Sequence, residues 1–151
     1  MSKDVAIFFP GDYRAKPNQW ALPQVRETTR NLVRALKLLG RKPRLINGFI
    51  TKPDEAIRKL GKIEDPMIGI FVHWTYGPHT TDGVVGKSNP LLLASNFSGT
   101  WPGLVALLNT GACLASVGLA CTVDYLDSSF RTPREVEIFL NTPVLAALPK
   151  N

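Results

Sequence analysis

Short continuous apolar runs alternate along this chain with stretches whose apolar residues recur every three or four positions. Val5-Ala6-Ile7-Phe8-Phe9, within Asp4–Phe9, is the first such run and predicts a strand buried on both faces. Pro10-Gly11 ends it, and a loop over 12–22 follows. Pro23 is expected to open a helix whose inner face is Leu22, Val25, Thr29, Leu32, Val33, Leu36 and Leu39, with Gly40 as its stop. Arg44–Phe49 predicts a second strand. Thr51-Lys52-Pro53-Asp54 predicts a helix start with Thr51 as N-cap, Ala56, Ile57 and Leu60 as the apolar side, and Gly61 as the end.

Met67–Val72 predicts a third strand, apolar throughout, and a long loop carries the chain from His73 to Pro90. Leu91–Ala94 predicts a fourth, buried strand. Thr100 is expected to cap a helix carrying Gly103, Ala106, Gly111, Ala112 and Ala115 and ending at Gly118. Leu119–Tyr125 then predicts a fifth strand, and the capping box Thr132-Pro133-Arg134-Glu135 opens a last helix through Val136, Ile138, Phe139 and Leu140. Strands alternating with helices in this way predict an α/β fold. The expected architecture is a doubly wound, flavodoxin- or Rossmann-like five-stranded parallel sheet with helices on both faces. It is expected to form one domain over residues 1–141. The apolar tail 142–151 reads as a lead into a further domain, so the chain is expected to be a piece of a longer protein.

Composition narrows the class. With 151 residues, 44% hydrophobic and 20% charged, the chain is long enough for one domain with a real core and is not of disordered type. Its apolar runs fall far short of the ~20 residues of a membrane-spanning helix. Met1-Ser2-Lys3-Asp4 leads into a strand and not into a signal-peptide core, so a cytoplasmic location is expected. The formal charge of +6 permits polyanion binding. The basic residues carry no nucleic-acid motif, however, and Arg26, Arg30, Arg34 and Lys37, which share one helical face, read as a solvated surface. Neither nucleic acid nor membrane is an expected partner. Cys113 and Cys121 read as free thiols in apolar surroundings.

Chemistry concentrates where the third strand stops, in His73-Trp74-Thr75-Tyr76-Gly77-Pro78-His79-Thr80-Thr81-Asp82-Gly83. Loops leaving the carboxyl ends of strands line the ligand crevice of an open α/β sheet. Trp74 and Tyr76, two apart, face the same way in extended chain and suit stacking on a sugar or small polar ligand. Arg14 joins from the loop after the first strand. His73, Asp82, Asn96 and Thr100 complete the candidate substrate-binding set. Ordinary structural alternatives stand beside them: a hydrophobic loop cluster for Trp74 and Tyr76, a surface charge or a partner for Asp12 in the case of Arg14, and a turn with a helix cap for Asn96 and Thr100.

Other chemistries lack their motifs. There is no Gly-x-Gly-x-x-Gly after the first strand, and Gly86-Lys87-Ser88 lacks the upstream glycine of a phosphate-binding loop. No nucleophile elbow surrounds a serine. His73, His79 and Asp82 are metal-ligand types, but the gap between the histidines crosses Gly77-Pro78 and matches no ligand spacing. Asp12, Asp82 and Asp124 are the carboxylates expected beyond strand ends. No catalytic residue is assigned: the pattern is a recognition surface without a catalytic set.

Three segments resemble L-fucose isomerases. Trp74-Thr75-Tyr76-Gly77 with Asp82 resembles that family's Trp-x-Tyr-Gly followed by an acid five residues past the glycine. Asn96-Phe97-Ser98-Gly99-Thr100-Trp101-Pro102-Gly103 is similar to its strand-to-helix segment, and Pro10-Gly11-Asp12-Tyr13-Arg14 to its Pro-x-x-Asp-Gly-Arg, with Tyr13 where the family has glycine. The resemblance to L-fucose and L-arabinose isomerases runs to about Leu140 and implies their Rossmann-like N-terminal domain. It implies Arg14 and Trp74 as substrate contacts reaching a neighbouring subunit's site. Mn²⁺ and the acid–base groups would lie in later domains of the parent protein, and this chain would bind no cofactor. On this resemblance the chain is the substrate-recognition and assembly domain of an aldose–ketose isomerase, incomplete alone and part of a homo-oligomer. The other expectation is a stand-alone binding domain for a sugar or other small polar ligand.

Overall fold

The computed structural model describes residues 3–95 and 103–126, and for 120–126 the backbone alone. In chain order the elements are β1 (Asp4–Pro10), α1 (Ala15–Leu38), β2 (Lys42–Ile50), α2 (Pro53–Leu60), β3 (Met67–Phe71), α3 (Pro78–Val84), β4 (Leu91–Ser95) and α4 (Gly103–Leu126). The chain forms two compact units, residues 1–117 and 118–151. All four strands and the first three helices lie in the first, and what is described of the second is the end of α4.

The sheet is parallel with order β2-β1-β3-β4. The alternation of side chains along β1 explains the layering. Val5, Ile7 and Phe9 point to one face and pack with Ala21, Val25 and Leu36 of α1, together with Ile68, Ile70 and Val72. Ala6 and Phe8 point to the other and pack with Ala56 and Leu60 of α2, Met67, and Val84 of α3. Each large apolar side chain buried this way contributes ~1.5–3 kcal/mol. The doubly apolar run of β1 is thus a central strand between two helix layers, as its sequence predicts. Where α2 meets α3 the backbones come so close that a Cβ on Gly83 would overlap the Ala56 carbonyl.

The differences from the sequence reading have physical causes. The sheet has four described strands, not five: Leu119–Tyr125 is helical and continues α4 through Gly118. Periodicity cannot separate a short apolar run in a buried strand from one in a helix, and one interior glycine costs only ~1 kcal/mol. Secondly, α1 begins at Ala15, eight residues before Pro23, which sits inside it. Thirdly, the long loop after β3 contains α3, opened by Pro78. Lastly, Lys52 rather than Thr51 is the N-cap of α2; Thr51 instead donates its backbone N–H to Glu55 Oε2 at 2.8 Å. The fourth strand is only partly buried, with Leu92 exposed at the sheet edge. The expected helix from Thr132 and the tail 142–151 lie outside the described residues.

Candidate functional site

Connectivity fixes where a crevice forms. From β1 the chain runs through α1 to β2 on one side, then passes back across to β3 on the other. The loops leaving β1 and β3 therefore diverge to opposite faces between adjacent strands, the topological switch point of a doubly wound sheet. Those loops are 11–14 and 72–77.

The β1 loop is a built turn. Asp12 is buried, and its Oδ1 accepts from the Arg14 backbone N–H at 2.8 Å, an Asx turn. The Arg14 side chain folds back onto the same carboxylate, with Nε to Oδ1 at 3.0 Å and an Nη to Oδ2 at 2.8 Å. Such bidentate geometry is the strong form of a charge-assisted hydrogen bond. These bonds hold the Asp12 carboxyl below its ordinary value against the opposing effect of burial, and raise the guanidinium above its own. Gly11 is obligatory here: a Cβ would lie 2.8 Å from Phe49 Cβ and 2.9 Å from Asn18 Oδ1.

Asn18, in the first turns of α1, locks that turn to β3. Its Nδ2 donates to the carbonyls of Asp12 at 2.7 Å and Arg14 at 3.1 Å. With the amide so oriented, Oδ1 accepts from the Asp12 N–H at 2.8 Å and lies 2.7 Å from His73 Nε2. An oxygen that only accepts assigns the proton of the neutral His73 ring to Nε2. The 3.4 Å approach of the Asp12 nitrogen to that Nε2 is then a close contact, the N–H being spent on the nearer oxygen. His73 is 2% exposed and stacks edge-on against Phe49, 5.6 Å between ring centres. Burial pushes its pKa below the ordinary value, and Asp12 only partly offsets this. His79 ties the loops a second time, its Nδ1–H donating to the Gly11 carbonyl at 2.8 Å.

Above this buried network stands a ladder of half-exposed rings. Trp74 meets Tyr76 edge-on at 6.4 Å, and Tyr76 meets Tyr13 at 5.9 Å. Trp74 is 41%, Tyr76 42% and Tyr13 60% exposed. The Arg14 guanidinium lies 5.3 Å from the centre of the Tyr13 ring. Such a surface can stack on the apolar face of a small ligand while Arg14 meets polar groups.

Of the sequence-predicted residues, Arg14, Trp74 and Tyr76 share this rim. His73 lies directly beneath it as a support of both loops, buried from a ligand. Asp82 sits exposed on α3 and accepts from the Thr81 hydroxyl at 3.1 Å, with no hydrogen bond to the rim. Asn96 and Thr100 lie outside the described residues. Tyr13 and Asn18 were not foreseen as part of the site; the signal for Tyr13 was its place beside Arg14, and Asn18 gave none while 12–22 read as loop. Among the described residues no three histidine, cysteine, aspartate or glutamate side chains gather to hold a metal ion. Both histidines commit a ring nitrogen to the loop network. Compared with family models, curated proteins and solved structures, the chain matches none.

Proposed function

We propose that this chain is a recognition domain for a sugar or similarly small polyhydroxylated ligand, of the kind that supplies substrate walls to an aldose–ketose isomerase. The observation that carries this reading is the half-exposed Trp74–Tyr76–Tyr13 ladder at the switch point, beside the Arg14–Asp12 pair. A sugar presents one apolar C–H face for stacking and hydroxyls at its rim for a guanidinium. On this reading Trp74 and Tyr76 hold the ring face, Arg14 donates to hydroxyls, and Asn18 and His73 fix the two loops relative to each other. The isomerase assignment rests on the three resembling segments, and the chemical step belongs to a parent protein with its own metal and acid–base groups. As a stand-alone domain the same rim would act as a simple binder.

Titration of the full chain with L-fucose and L-arabinose, followed by backbone amide shifts, tests the binding reading. Shifts confined to residues 11–14 and 72–77 support it; none there at high millimolar sugar overturns it. The size of the endogenous protein separates the two versions. A species several times heavier than 16.6 kDa with Mn²⁺-dependent isomerase activity supports the isomerase domain, whereas a 16.6 kDa species leaves the stand-alone binder.

A further inference from the structure

A second surface lies on the α1 face of the sheet, between α1 and the edge strand β2, and reaches the switch-point network at Phe49, whose ring stacks on His73. Three cavities of about 450, 370 and 440 Å³ run in line along α1. The first two share Phe9, Val25, Arg26 and Leu45 in their lining, and the second and third share Arg30 and Val33, so together they are one groove. Its floor is apolar: Phe9, Val25, Val33, Leu45 and Phe49, with Leu45 51% exposed although it lies mid-strand. The Thr29 hydroxyl, which lines the middle cavity, is buried without a hydrogen-bond partner among the described residues.

Along one wall of the groove runs a row of cations. Arg26, Arg30, Arg34 and Lys37 follow one another at helical spacing, all line the groove, and none forms an ion pair among the described residues. From Arg26 to Lys37 the row spans about 16 Å of helix, roughly three turns. A solvated outer face would leave these charges over polar surface. Here they border exposed apolar area, which is the complement of one ligand class.

We propose that this groove docks an acidic amphipathic helix of a partner protein. Its apolar residues, at i, i+3, i+4 and i+7, would lie over Val25, Val33 and Leu45, and its glutamates or aspartates, four apart on the flank, would face Arg26, Arg30 and Arg34. A nucleic-acid backbone is the weaker fit, because phosphates have no use for the apolar floor.

The test uses the full 151-residue chain and a fluorescently labelled synthetic helix of four turns, with leucine on one face and glutamate along its flank. Anisotropy is expected to show saturable binding that weakens with salt. The double variant Arg30→Glu/Arg34→Glu should weaken it by about tenfold or more, since like charges then oppose each other. Leu45→Gln should weaken it independently. All three residues are solvent-facing, and unchanged thermal melts would establish that the variants fold. The proposal is overturned by any of four results: no binding; equal binding of a lysine-for-glutamate control peptide; tighter, equally arginine-dependent binding of a DNA duplex or RNA; or sedimentation showing a dimer whose formation Leu45→Gln abolishes.

Discussion

Asn18 Oδ1 lies 2.7 Å from His73 Nε2, and through that contact the first turns of α1 are tied to the end of β3, 55 residues away. The same amide holds both flanks of the Asp12 turn, so one buried side chain organises the crevice. Asn18→Ala leaves the Asp12 N–H, two carbonyls and the His73 ring without their partner. The expected cost is about 2–3 kcal/mol, since removing one partner strands buried polar groups. Urea denaturation of the two proteins measures it, and a loss below about 0.5 kcal/mol would mean the network is replaced by water at no cost.

The His73 pKa makes stability depend on pH with a definite sign. Its folded value lies below the ordinary 6.5. Above that pH the ring is neutral in both states and its buried contacts are fully present. As pH falls below 6.5 the unfolded chain takes up a proton that the folded one resists, so stability falls until the folded ring also titrates. Asp12 acts at the acid end: its carboxyl is held below 3.8, so its contribution is complete above that value and is lost below it. Urea midpoints at about pH 7.5 and 5.5 should therefore drop for the parent chain, and His73→Gln should reduce the drop although it lowers stability at both.

Strands of one residue type were legible; polar anchors were not. The runs at Val5–Phe9 and Met67–Val72 read as strands covered on both faces, bounded by turn residues, and the sheet places them side by side at its centre. Arg14, Trp74 and Tyr76 followed from the rule that strand ends carry function, which needs only the strand to be right. Asn18 was hidden because Pro23 carries the sequence signature of a helix start, yet Pro17 already sits in the first turn of α1, where a proline is tolerated. α3 was hidden for the opposite reason: Pro78-His79-Thr80-Thr81-Asp82-Gly83-Val84 is made of poor helix formers and is held by packing against α2. The fifth strand failed because Leu119–Tyr125, seven residues of which five are apolar, is too short to show a period of its own.

That packing is itself testable at Gly83. A side chain there must displace the Ala56 carbonyl or the Leu60 side chain, both in the α2 layer of the core. Gly83→Val should destabilise the chain by about 2–3 kcal/mol, in the range of overpacked interiors, whereas Gly86→Val, also a glycine but with open space around it, should cost less and act only through its φ of 78°. Thermal melts of the pair compare close approach with backbone strain; equal losses would remove close approach as the reason for glycine at 83.

Trp74 separates recognition from stability. Its ring is 41% exposed and touches Tyr76 edge-on, while the loop beneath it is held by His73 and His79 independently of the indole. Trp74→Ala should therefore leave the unfolding midpoint within about 0.5 kcal/mol of the parent's. It should weaken sugar binding about three- to tenfold, the worth of one aromatic contact. Tyr76→Ala, which removes the middle of the ladder, should weaken it further and release Tyr13 as well. Amide-shift titrations with L-fucose and L-arabinose read the affinity, and chemical denaturation reads the stability of the same samples. A large stability loss with unchanged binding would turn the ladder into a surface extension of the core, and the recognition reading would fall with it.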